Sequence, residues 1–177
     1  KKENFDILYF GTLAQRSKES KDSLLKVMEN VSFRKVFCDM NLRQHYYSDE
    51  VLSFSLEKTD ILKINRDEFE FLKENGFCDS VKNLCEKYDI EKVILTLDKD
   101  GAELYDLKED KTYYSDGVKT QEVSSVGAGD SMCACFLYNY LKGEELQTCL
   151  DRANIMGAFV VSKKDAIPDY TEEIISK

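Results

Sequence analysis

Proline and histidine occur once each in these 177 residues, and no basic cluster or long apolar run occurs at all. Without about 20 consecutive apolar residues there is no candidate membrane span. Without a Lys/Arg cluster, and with a formal charge of -9, nucleic acid is not an expected partner. Cysteine is present six times, at 38, 78, 85, 133, 135 and 149, but never as Cys-x-x-Cys, and His45 builds no ligand cluster with any of them. A zinc site is therefore not expected. Cys133, Cys135 and Cys149 fall in apolar helical stretches, where a free thiol acts as a small buried hydrophobe. The expected setting is the reducing cytoplasm. The opening, Lys1-Lys2-Glu3-Asn4-Phe5-Asp6, has no signal-peptide pattern. No repeat, low-complexity tract or linker interrupts the chain, which reads as one domain over 1–177. A strand starts so early, at Phe5, that whatever comes before it is expected to be missing.

What is present is an alternation of short apolar runs with amphipathic stretches. Strands are expected at Phe5–Phe10, Lys35–Met40, Ile61–Asn65 and Val93–Leu97. Helices are expected at Ser20–Val31, with Leu24, Leu25, Val27, Met28 and Val31 inward, and at Ser48–Lys58, Asp67–Glu74 and Asp79–Tyr88. Glu103–Leu107 and Thr112–Ser115 read as antiparallel additions joined by a polar turn. Thr120–Val123 is strand-like, and two helices follow, about Ser131–Lys142 and Glu145–Lys163. Strands separated by helices argue for a parallel sheet with right-handed crossovers. Runs such as Val93–Leu97 do not alternate, as expected of strands covered on both faces. Ligands of such sheets bind beyond the carboxyl ends of the strands.

The residues with chemistry follow the strands: Asp39-Met40-Asn41-Leu42-Arg43, Asn65-Arg66-Asp67-Glu68, Thr96 to Gly101, and Val126-Gly127-Ala128-Gly129-Asp130-Ser131. In the last run, two glycines let the backbone turn its N–H groups toward one point. The helix that follows adds roughly half a positive charge at its N-terminus. That is an anion site with Asp130 at its rim, suited to taking a proton from a hydroxyl while the amides stabilise a transferring phosphoryl group. Local alternatives stand beside these readings. Asp130 also reads as a helix N-cap, Asn65-x-x-Glu68 as a capping box, and Arg43 as a surface partner of Asp39.

In this order and spacing the motifs resemble those of the ribokinase-like (PfkB) carbohydrate kinases, over essentially the whole chain and a little over the C-terminal half of a usual member. Asp39–Arg43 and Leu62–Glu68 look most like the fructokinase branch. The resemblance implies a Rossmann-like three-layer α/β sandwich, with a mostly parallel sheet and helices on both faces, that transfers the γ-phosphoryl group of ATP to a sugar hydroxyl. It implies Asp130 as base, the Gly127, Ala128 and Gly129 amides as anion hole, and Glu68 as the holder of Mg2+, usually through water. Asn65, Thr96, Gly101 and Asn154 would lie around the nucleotide, and Arg43 would clamp a phosphate or an acidic sugar. The implied partners are a small-molecule sugar and a nucleotide, with homodimers of the full-length protein forming through its lid. Three other readings stay open: a nucleoside or vitamin kinase of the same superfamily, a non-catalytic nucleotide- or phosphate-binding module, and a structural fragment that binds nothing alone.

The pattern also departs from the family. Ser124-Ser125 stand where the family reads Asp-Thr, which leaves a monovalent-cation (K+) requirement open. Asp98 replaces a usual glycine, and Asp165-Ala166 replaces Gly-Ala. The family's Gly-Gly signature and early Asp are absent, so the chain alone is expected to be inactive.

Overall fold

The computed structural model describes residues 3–44 and 47–170. His45, expected to be exposed, lies outside them. The chain folds as two compact units, Lys1–Thr96 with Tyr105–Lys111, and Leu97–Leu104 with Thr112–Lys177. Strands and helices follow one another in an α/β arrangement. No helix among the described residues is long and apolar enough to cross a membrane.

The first unit contains β1 (Asn4–Gly11), β2 (Ser32–Asp39), β3 (Ile61–Asn65) and β4 (Lys92–Thr96), all parallel. Between them run α1 (Lys18–Asn30), α2 (Asp49–Glu57), α3 (Arg66–Glu74) and α4 (Val81–Tyr88). Their N-caps are local: Ser17, Ser48, Asn65 and Ser80 each accept a backbone N–H from the first turn. A 3-10 turn, Thr12–Gln15, precedes α1 and has no counterpart in the expected elements. β3 and β4 bury four consecutive residues each, as expected of central parallel strands. Two lysines inside those runs carry ion pairs with them: Lys63 with Asp39 and Lys92 with Asp106, both 3.1 Å. Contrary to expectation, α1 buries nothing fully, and Val27 is 41% exposed.

The second unit holds most of β5 (Gly101–Asp106) and β6 (Lys111–Asp116), and the helices α5 (Ala128–Leu141) and α6 (Leu146–Val161). The four residues between β5 and β6 are too few for a parallel crossover, so the pair is an antiparallel hairpin. Cys133 and Phe136 of α5 and Leu150 and Ala153 of α6 are among its buried residues. Thr120–Val123 is not a strand. It finds no ladder; instead the N–H groups of Val123 and Ser124 both donate to Val161 O at the end of α6, 2.9 and 3.2 Å.

Candidate active site

The glycine loop of the second unit turns at Gly127, which is left-handed at φ 84 and serves as N-cap of α5. The conformation favours glycine, and so does the space: a Cβ there would lie 2.6 Å from Ala166 O and 2.9 Å from Ala166 Cβ. Ser131 N–H donates to Gly127 O at 2.9 Å and starts the helical ladder. Ala128 N–H donates to Ser125 O at 3.3 Å, a long bond that closes the turn. Asp130 is therefore not the cap. It stands exposed in the first turn, three residues past the cap, where a carboxylate is favoured by the helix dipole. A groove of about 780 Å³ in this unit has Gly127 and Asp130 in its wall, and continues along Ala134 and Tyr138 of α5.

Gly101 and Asn154 also fall in this unit. Gly101 has φ 105, and a Cβ on it would meet Ser115 O at 2.0 Å, so the start of β5 and the end of β6 touch backbone to backbone. Asn154 reinforces the same place: its Nδ2 donates to Ser115 Oγ at 3.1 Å and to Asp116 O at 2.8 Å. Asn154 thus fastens α6 to the end of β6. Asp98, also left-handed at φ 54, is exposed.

The other expected residues lie at the carboxyl ends of the first unit's strands. Asn65 and Thr96 are register partners at the ends of β3 and β4. Asn65 Oδ1 accepts Glu68 N–H, and Glu68 Oε2 accepts Asn65 N–H, both 2.8 Å. The capping-box alternative is therefore what these two residues build. One row away, Asp39 is sandwiched: Lys63 Nζ reaches Oδ1 and Tyr9 OH donates to Oδ2, both 3.1 Å. Arg43 is exposed on the loop after β2, and its Nε donates to Asn41 Oδ1 at 3.1 Å.

Glu68 does not fit direct coordination of Mg2+. It is 6% exposed, and its second oxygen, Oε1, accepts Leu42 N–H at 2.8 Å, so both oxygens are already bonded. Burial pushes its carboxyl above the usual range, against the pull of the Asn65 and Leu42 amides. No group of three or more His, Cys, Asp or Glu that could hold a metal occurs among the described residues.

Two contributors lie outside the four polar runs that follow the strands. Thr12 Oγ1 donates to Met40 O at 2.6 Å, pinning the loop that carries Arg43. Ala166 shapes the glycine turn from a position 39 residues away. Only Asn41, a residue type that tolerates positive φ, hinted at the first.

Comparison with known proteins adds three findings. A family model, the pfkB family carbohydrate kinases, matches residues 2–173. The 5-dehydro-2-deoxygluconokinase of Listeria monocytogenes serotype 4a is 27% identical over 178 residues, covering 94% of this chain and 54% of that protein. The chain thus spans about half the length of the curated relatives it matches. Among solved structures, aminoimidazole riboside kinase from Salmonella enterica superposes with a TM-score of 0.80 at 20% identity, over 98% of this chain and 63% of that one. Fructokinase from Vibrio cholerae, solved with fructose, ADP and calcium ion, gives 0.78 at 20% identity, over 94% and 57%. At such identity these two show the fold alone, an α/β fold shared with sugar and nucleoside kinases.

Proposed function

We propose that this chain, which belongs to the pfkB family of carbohydrate kinases, carries the base and the anion-binding turn of an ATP-dependent kinase whose acceptor is a sugar acid. The observation that carries the reading is Asp130, exposed in the first turn of α5 and three residues past the left-handed Gly127. Asp130 takes the proton of the acceptor hydroxyl as its oxygen attacks the γ-phosphorus in line and the bond to ADP breaks. The turn's amides and the helix N-terminus meet the negative charge of the transferring group. Support for an acidic acceptor comes from the exposed guanidinium of Arg43 and from a relative named for a deoxygluconate, a carboxylate sugar. Mg2+ would arrive with the nucleotide and neutralise phosphate charge; Glu68 is not assigned to it. The remaining length that relatives carry is assigned to acceptor positioning and water exclusion.

The test is a coupled ADP assay on the full-length kinase. Turnover should be faster with gluconate-type acids than with neutral hexoses, and residues 1–177 alone should show none. Asp130→Asn should lower kcat by about 100- to 10,000-fold while ATP affinity stays within about twofold. Near-normal turnover by that variant would remove Asp130 from the role. A second acceptor, fructose, is favoured by the fructokinase-like Asp39–Arg43 segment, and a preference for fructose in the same assay would select it.

A further inference from the structure

The Glu68 carboxylate does more than close a capping box. A capping box needs only the Asn65 side of the carboxylate. The other oxygen reaches 26 residues back and takes the N–H of Leu42, in the loop after β2, at 2.8 Å. That loop is held in an unusual shape. Asn41 and Gln44, neither of them glycine, are left-handed at φ 43 and 50, on either side of Leu42 and Arg43. Such a conformation persists only where its surroundings over-determine it. Here Thr12 Oγ1 donates to Met40 O at 2.6 Å, Met40 N–H donates to Lys63 O at 3.0 Å, and Glu68 secures Leu42. The next residue is Arg43, its Nε steadied by Asn41 Oδ1.

We infer that Glu68 is a positioning residue for Arg43: it fixes the backbone from which the guanidinium reaches an anionic acceptor, and it is not a ligand of the metal. The inference rests on the assignment of Arg43 to the acceptor. A carboxylate is the right group for the task because it alone accepts two N–H donors, one on each oxygen, and so joins the start of α3 to the loop. Glutamine offers one acceptor oxygen, and its amide nitrogen would face the second N–H.

Three measurements decide it. In the full-length kinase, Glu68→Gln should raise the KM for the acidic acceptor about tenfold, the scale of one lost hydrogen bond to a charged group. The KM for ATP and the Mg2+ concentration for half-activation should stay within about twofold. In the Arg43→Ala background the same substitution should add no further rise in acceptor KM. A rise of about tenfold or more in the Mg2+ requirement, with the acceptor KM unmoved, would overturn the inference. The functional reading fails separately: if Arg43→Ala alone leaves acceptor KM unchanged, Arg43 is not the acceptor contact. The third measurement needs no variant and no turnover. Hydrogen exchange at the Leu42 amide of the unmodified protein should keep its protection when MgCl2 is added, with or without ATP. Loss of that protection on adding Mg2+ would mean that the metal displaces the Leu42 bond, and would make Glu68 a ligand after all.

Discussion

Gly127→Ala should destabilise the chain far more than the same change at Gly143, although both glycines are left-handed, at φ 84 and 79. An alanine in that conformation costs about 1–2 kcal/mol at either position. The unfolded chain returns about 0.4–1 kcal/mol through its lost freedom, again at either position. The difference is space. A Cβ at Gly143 meets nothing within 4 Å, whereas at Gly127 it meets Ala166 O at 2.6 Å, Ala166 Cβ at 2.9 Å and Ala166 Cα at 3.0 Å. Two of those three atoms are backbone, so no side chain can rotate away, and the segment around Ala166 must shift. Overpacking of this kind typically costs about 1–3 kcal/mol. The expected losses are therefore about 2–4 kcal/mol at Gly127 and about 1 kcal/mol or less at Gly143. Urea unfolding followed by circular dichroism, with the slope m unchanged, reads both as shifts in midpoint. Equal losses at the two positions would refute the steric argument and leave conformation as the only demand on Gly127.

The remaining predictions concern groups away from the turn. Asp106→Asn should cost about 3–5 kcal/mol, because it strands the ammonium of Lys92, whose side chain is 11% exposed; denaturant midpoints measure it. All five buried thiols should resist a thiol reagent in the native state and react on unfolding, with Cys135, only half-buried, reacting first. Burial pushes Cys85 from 9.0 up to about 12 and Cys149 up to about 11. Their folded values lie above the unfolded one, so the native state keeps these protons longer. Their contribution to stability is full below about pH 9 and is lost as pH rises toward those values, so the urea midpoint at about pH 10.5 should fall below that at about pH 8.

Elements whose cause is local were legible in advance. β3 occupies Ile61–Asn65 as expected, because Ile61, Leu62 and Ile64 form a short apolar cluster between polar flanks, a signal held within the segment itself. Ser48 and Asn65 cap helices through bonds that span three residues, a distance at which sequence patterns speak. The Thr120–Val123 segment failed for the opposite reason. Its two β-formers are as good as those of a strand, but a strand is made by its ladder partner, and here the backbone is claimed by Val161 at the end of α6.

The same distinction separates what the motifs said about the site from what they could not. The glycine loop announces its turn, since Gly127 and the apolar helix after it are adjacent in the chain. Glu68 announced a capping box just as openly, and that box is present. What no local pattern contains is the bond from Glu68 to Leu42, because its two ends lie on different strand-to-helix connections and meet only once β2 and β3 are in register. Phe37 pairs with Ile61 and Asp39 with Lys63, so the residues following each strand emerge side by side. Register thus brings a helix start beside a left-handed loop, and a carboxylate with two oxygens suffices to fasten one to the other. A residue's type and spacing specify the chemistry it offers; the sheet decides which of its neighbours receives it. For Glu68 the sheet presents backbone amides on both oxygens, so the carboxylate that closes the capping box of α3 also bonds the loop after β2.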